Sequence, residues 1–190
     1  MRLLLSFLDL PYERVPVAMR DGCNQVDEAY LALPRGQIPT LLDGEVVLWG
    51  STAILCYLAM RHDPDRCWLP QDPQHFGRVM QWLEQAQNEI ATGLFRARVI
   101  MKFGLAGDLQ AAQETARLAL AVLESRLSAQ QWLAGPGPTI ADIACFPYAA
   151  LAAEGGVEVG PYPGVMRWIS DFHAPEHFVG MPGIGEGPVA

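Results

Sequence analysis

Cysteines at metal or redox spacing are absent. Four occur, Cys23, Cys56, Cys67 and Cys145, and no two of them form a Cys-x-x-Cys. No histidine spacing completes a zinc set, so no metal site is expected. Cys56 and Cys145 stand in apolar helical contexts and read as core thiols. Cys23 and Cys67 fall in loops, where a thiol is open to reaction, but the simplest reading of all four is reduced and structural. Long apolar runs are also missing: none reaches the ~20 residues that span a bilayer, which excludes a membrane-spanning role. The opening Met1-Arg2-Leu3-Leu4-Leu5-Ser6-Phe7-Leu8 has no small-residue cleavage site, and Asp9, Pro11 and Glu13 follow at once. It reads as an amphipathic helix rather than a leader, and the expected location is cytoplasmic. Positive charge is scarce. Lys and Arg number 13 against 21 Asp and Glu, a formal net charge of -8. Neutralising a phosphate backbone needs clustered cations, so nucleic acid and anionic membrane are not expected partners. Arg96, Arg98 and Lys102 do cluster, which suits a small anionic ligand better than a polyanion. No internal repeat is present.

What is there is enough for a sizeable core: 51% of the 190 residues are hydrophobic. The length allows one large domain or two small ones. Residues 1-9 read as a helix that stops before Pro11, because a residue preceding proline avoids the helical region. Tyr12 to Val17 reads as a strand, placed at a sheet edge by Pro16. A loop with Gly22 leads to a short helix over about Val26 to Leu33. Thr40-Leu41-Leu42 and Glu45-Val46-Val47-Leu48-Trp49 flank Asp43-Gly44, the signal of a hairpin with a type I′ turn. A helix follows, with Ser51 expected as its N-cap, and Asp63-Pro64 ends it.

The proline-rich stretch with Pro64, Pro70 and Pro73 reads as a linker. Expected boundaries are 1-63 for the first domain, 64-75 for the linker and 76-190 for the second. Beyond the linker the chain turns helical. Asp72-Pro73 caps a helix reaching about Phe103. Asp108 starts another, whose Leu109, Ala112, Ala116, Leu120, Leu123 and Leu127 share one face. Helices are expected from Thr139 and over Pro163 to His173. The tail from Gly180 reads as extended or loosely held.

Three motifs carry chemistry. In Gly36-Gln37-Ile38-Pro39-Thr40-Leu41, the element order helix, strand, helix, Ile-Pro, hairpin, helix is that of a thioredoxin-like domain from its first helix onward. There a cis-proline presents the preceding backbone to an extended peptide ligand. In Leu48-Trp49-Gly50-Ser51-Thr52-Ala53-Ile54, a helix start attracts a carboxylate, and the Ser hydroxyl can donate to it. In Pro138-Thr139-Ile140-Ala141-Asp142-Ile143, Thr139 and Asp142 form a capping box, with Pro138 and Ile143 at the staple positions. That gives Asp142 a structural role, not a catalytic one.

Together, and with Trp132-Leu133-Ala134-Gly135 before the third, these motifs resemble the glutathione transferase family along nearly the whole chain. The resemblance implies an α/β + all-α architecture: a thioredoxin-like N-terminal domain lacking its first strand, then an all-helical C-terminal domain. It gives the cysteinyl part of glutathione to the backbone of Ile38 beside Pro39, and the γ-glutamyl carboxylate to Ser51. Gln37 and Gly50 would flank the same groove. The family usually has Glu or Asp immediately before the Ser, and Gly50 stands there instead. Phe95, Arg98 and Lys102 lie where the family builds its acceptor-substrate pocket. The implied reaction is attack of the glutathione thiolate on a small electrophile, with glutathione as co-substrate, no permanently bound cofactor, and a homodimer as the assembly.

By the same resemblance the thiol-activating Tyr, Ser or Cys falls before the first helix, so it is expected upstream of Met1, and no catalytic residue is assigned within the chain. Two rival readings remain at this level. One is a glutathione-linked reductase or peroxidase. The other is a non-catalytic binding protein of the same fold.

Overall fold

The structure is a computed structural model that describes residues 1-17, 33 and 38-184. Helix α1 (Arg2–Phe7) is followed by strands β1 (Thr40–Asp43) and β2 (Val46–Trp49) and by helix α2 (Ser51–His62). Helix α3 (Pro73–Gln85) continues without a break through a π-helical segment (Ala86–Phe95) into α4 (Arg96–Phe103). Then come α5 (Leu109–Leu127), α6 (Ile140–Ala150), a 3-10 turn (Ala152–Gly155) and α7 (Pro163–His173).

Expectation and structure part company at three places before the linker. Residues 12-17 form no strand: among the described residues β1 pairs with β2 alone, so nothing offers this segment a ladder, and Tyr12 and Val15 are exposed. The expected helix over Val26 to Leu33 lies outside the described residues apart from Leu33. The hairpin forms, but one position later than anticipated. Asp43 pairs with Val46, so the two-residue loop is Gly44-Glu45. Positive φ falls on Gly44 alone (58°), the requirement of a II′ turn rather than I′. Ser51 is not the N-cap. Gly50 holds that position, with φ 85° and ψ 125°, and no side chain caps the helix. Only glycine adopts that backbone without strain. Its carbonyl accepts the first intrahelical bond, from the N–H of Ile54 at 3.1 Å.

The helical part follows its sequence pattern closely. Asp72 caps α3 by accepting from the His75 N–H at 3.0 Å, with Pro73 in the first turn. Asp108 caps α5 through the Ala111 N–H at 3.0 Å. Ala112, Ala116, Leu120, Leu123 and Leu127 are buried along one side of α5. Gly93 lets the π-helical segment lie against α5, since a Cβ there would sit 2.5 Å from the Ala116 nitrogen.

Helix α6 sits at the centre, touching α1, α2, α3, the π-helical segment and α7. The capping box is present: the Thr139 hydroxyl accepts from the Ala141 N–H, and Asp142 accepts from the Thr139 N–H at 2.9 Å. Asp142 also accepts from the Leu133 N–H at 3.1 Å and the Trp168 indole N–H at 3.0 Å, so its carboxylate ties three segments together. It is fully buried, and burial pushes its carboxyl above the usual range against the pull of those donors.

One apolar core runs from Leu3, Leu4 and Leu5 of α1 through α2 to the helical region. Its densest part is aromatic. Phe146 lies 4.8 Å from Phe172 and 5.9 Å from Trp168. Phe7 of α1 stacks on Trp68 at 5.2 Å and meets Phe172 edge-on at 5.8 Å. The connection between α2 and α3 is anchored, with the Trp68 N–H donating to buried Asp63 at 2.7 Å and the Ile140 N–H to the Trp68 carbonyl at 2.9 Å. The tail is not loose as far as Ile184, which is buried. The Ser6 hydroxyl donates to the His177 carbonyl at 2.6 Å, holding the segment just before the tail against α1.

Candidate functional site

The register of the hairpin decides what meets at its open end. Thr40 pairs with Trp49, and one step further the Gly50 N–H donates to the Pro39 carbonyl at 3.3 Å. Ile38-Pro39 and Gly50-Ser51 are therefore neighbours in space, although 11 or more positions apart in the chain. The Ile38-Pro39 peptide bond is cis, as the motif order suggested. Ile38 keeps 39% of its surface exposed. Gln37, the remaining residue assigned to this groove, lies outside the described residues.

Next to this junction a cleft of about 470 Å³ separates the start of α2 from the helix of the second half. One wall is Trp49, Gly50, Ser51, Thr52 and Ala53; the other is Met80, Leu83, Glu84 and Gln87. The latter four are spaced i, i+3, i+4, i+7, one helical stripe. The N–H groups of Ser51, Thr52 and Ala53 have no acceptor within the helix, as at any helix start. With Gly50 in the cap position, the Ser51 hydroxyl is not spent on the helix. It accepts from the Gln87 side-chain amide at 3.4 Å, which leaves its own proton free to donate. The Thr52 hydroxyl oxygen is buried without a partner among the described residues. A hydroxyl, three helix-start N–H groups and a helix dipole make a receptor for a carboxylate.

The basic residues of α4 serve another place. Arg98 is buried and donates through Nε to Glu154 of the 3-10 turn at 2.5 Å, and Lys102 pairs with the other oxygen of the same carboxylate. These two cations, Lys102 first, hold the Glu154 carboxyl below its usual range. Arg98 also lies 5.3 Å from the Phe103 ring centroid. Phe95 packs on Tyr148 of α6 at 5.0 Å, where burial raises the phenol. None of Phe95, Arg98 and Lys102 lines the cleft beside Ser51. Sequence reasoning missed Glu154, since nothing in the chain marks a partner more than 50 residues away. It also missed Glu84 and Gln87, although the stripe from Met80 to Gln87 was a usable signal.

Thiol chemistry finds little support. Cys145 is buried, donates to the Trp82 carbonyl at 3.5 Å, and burial pushes its thiol well up. Burial raises Cys56 as well, and Cys67 is exposed. Cys23 lies outside the described residues. Among the described residues no helix is long and apolar enough to cross a membrane.

Comparison with known proteins bears on both halves. The pattern of the glutathione S-transferase N-terminal domain matches residues 1–60, and that of the glutathione S-transferase C-terminal domain matches residues 87–176. The glutathione S-transferase GstB of Escherichia coli is 31% identical over 175 residues, 87% of this chain and 83% of that protein. A maleylacetoacetate isomerase of Mus musculus is 29% identical over 184 residues, 93% and 83% of the two chains. Among solved structures, a glutathione S-transferase from Pseudomonas fluorescens superposes with a TM-score of 0.84 at 34% identity, covering 94% of this chain and 90% of that one.

Proposed function

We propose that this chain, which belongs to the glutathione S-transferase family, binds glutathione at the junction of Ile38-Pro39 with Gly50-Ser51 and joins it, through its thiolate sulfur, to a small electrophile. The fold is the family's, a thioredoxin-like α/β part followed by an all-helical part. We divide them at residues 64-75, with the first domain over 1-63 and the second over 76-190. The observation that carries the reading is the register of the hairpin, which sets the Pro39 carbonyl on the Gly50 N–H and so joins the two motifs in one groove.

In this reading the γ-glutamyl carboxylate sits at the start of α2, on its free N–H groups and the Ser51 hydroxyl. The cysteinyl part runs along Ile38. The thiol loses its proton, and the thiolate sulfur bonds to the electrophilic atom as the leaving group departs or a double bond takes up the electrons. The acceptor lies toward Phe95 and Tyr148, with Arg98 and Lys102 steadying that side through Glu154. A homodimer in the cytoplasm, where glutathione stays reduced, completes the proposal.

The test has two readings. Glutathione is titrated into the full chain by calorimetry, and thioether formation with an aryl halide is followed by absorbance. Saturable binding with turnover is expected. Binding without turnover leaves a glutathione-binding protein, and absence of binding overturns the assignment.

A further inference from the structure

A second recess, of about 380 Å³, opens between α3 and α5. It shares no residue with the cleft beside Ser51. Gln81, Trp82 and Gln85 of α3 line one side, and Val122, Ser125 and Arg126 of α5 the other. Arg78 begins the same stripe of α3, since 78, 81, 82 and 85 are spaced i, i+3, i+4, i+7. No carboxylate lines the recess.

Its donors are unspent. Arg126 is half-buried, and its Nε donates to the Leu133 carbonyl at 2.8 Å. That bond fixes the guanidinium and leaves its terminal nitrogens without a partner among the described residues. Burial lowers the Arg126 guanidinium, the neighbouring Arg78 lowers it further, and buried Asp142 offsets only part of this. Neither arginine makes an ion pair among the described residues. The Gln85 Nε2 is buried with no partner among them either, and turning the amide to an acceptor in the recess would satisfy it. Ser125 is exposed beside Arg126 and adds a hydroxyl, while Trp82 and Val122 supply an apolar edge.

A carboxylate would neutralise one guanidinium of the two. A phosphate monoester carries about -1.5 to -2 at neutral pH, with three acceptor oxygens, and suits a pair of planar arginine forks. The volume lies at the small end of ligand-sized cavities, so the phosphate can carry a small organic body against Trp82 and Val122. A net charge of -8 argues against a polyanion.

We infer that the recess between α3 and α5 binds the phosphate monoester of a small organic molecule. Arg78 and Arg126 clamp the phosphoryl group, and the Gln85 amide and Ser125 hydroxyl complete its donors. This site does not depend on what fills the cleft beside Ser51.

The experiment titrates phenyl phosphate, a dianion at neutral pH, into the full chain by calorimetry. Methyl phenyl phosphate, a similar body with a single charge, is titrated beside it. The dianion should bind saturably, and the diester about tenfold more weakly. Arg78→Gln and Gln85→Leu should each weaken the dianion about fivefold. Arg78 is exposed and Gln85 lies at the end of α3, and melting temperatures check that both variants are folded. Saturating glutathione should leave phenyl phosphate binding unchanged. The inference is overturned if phenyl phosphate does not bind, if the two probes bind alike, or if neither variant changes the affinity. Displacement of the probe by glutathione would place it at the start of α2 and overturn the inference as well. So would binding that weakens as protein concentration rises, which would make the recess a contact between two copies of the chain.

Discussion

Leu42, Val46, Val47 and Trp49 of the hairpin each keep more than a third of their surface in water, whereas Phe146, Trp168 and Phe172 of the helical region keep 2% or less. Both regions are rich in large apolar side chains, so composition does not explain the contrast. Closure does. Around α6 every apolar face meets another helix, and burial at ~25 cal/mol per Å² accumulates. Among the described residues the sheet has two strands, and a two-stranded sheet has two faces and two edges to cover and is marginal by itself. Discrete ties hold it in place: the Tyr57 hydroxyl donating to Asp43 at 2.7 Å, the Gly50 N–H on the Pro39 carbonyl, and the packing of Leu41 and Leu48 on the core. The candidate site occupies the seam. One wall belongs to the lightly held region and the other to the firmly packed one.

The contrast is broken most severely by Asp142→Ala. The carboxylate is fully buried, and its removal strands the Leu133 N–H, the Thr139 N–H and the Trp168 indole N–H at once. The expected loss is about 3 to 5 kcal/mol, larger than an exposed cap is worth, because buried donors keep their full desolvation cost. Urea unfolding measures it. Glutathione affinity per folded molecule should not change, and inactivity at normal stability would make Asp142 a functional carboxylate instead.

Glu154→Ala comes next. It leaves Arg98 buried without its anion, a loss of about 2 to 3 kcal/mol. The figure is below that for a fully enclosed pair because Lys102 and Glu154 keep 36% and 25% of their side chains in water. The folded carboxyl titrates lower than an unfolded one. The stability it adds is therefore complete above the unfolded range, and is lost as pH falls through the folded value. As pH falls below the unfolded carboxyl range, about 4.3, the wild type should lose more stability than Glu154→Gln. Parallel pH profiles would sink the ion pair as a stabilising element.

A smaller effect is expected on the lightly held side. Tyr57→Phe removes the hydroxyl that bonds Asp43, the tie between hairpin and α2. Its melting temperature should fall less than that of Glu154→Ala, while amide exchange in β1 and β2 quickens and exchange in α5 and α6 does not. Equal acceleration in both regions would mean that they open as one unit.

What was legible in the sequence follows the range of each interaction. The capping box of Thr139 and Asp142 is local, three positions apart, and could be read directly; the Trp168 indole that completes it comes 26 residues later and could not. The caps Asp72 and Asp108 were readable for the same reason. The hairpin was plain, but its register slipped by one, because Asp43 ends a strand as readily as it enters a turn. The strand expected over Tyr12 to Val17 depended on a neighbour, and composition says nothing of neighbours. At the site, Ile38-Pro39 and Gly50-Ser51 were visible as motifs. Their meeting needed the β1–β2 pairing, and the second wall needed the packing of side chains such as Ser51 and Gln87, 36 positions apart.

Ser51 is where the two regions touch, and the smallest expected change in stability falls there. Had Ser51 been the cap, replacing it with alanine would cost about 1 kcal/mol. Gly50 is the cap, and the Ser51 hydroxyl makes no capping bond. Its partner, the Gln87 amide, is exposed and can turn to water when the hydroxyl is lost. Ser51→Ala should therefore stay within about 0.5 kcal/mol of the wild type in urea unfolding. Glutathione affinity should behave differently. A hydrogen bond to a carboxylate is worth more than a neutral one, and its loss should raise the dissociation constant about tenfold. The two measurements on one variant separate the roles. A loss of about 1 kcal/mol in stability with unchanged affinity would return Ser51 to a helix-start function alone. Unchanged stability with weakened binding makes its hydroxyl a ligand contact, supplied by the lightly held region and held in place by Gln87 of the packed one.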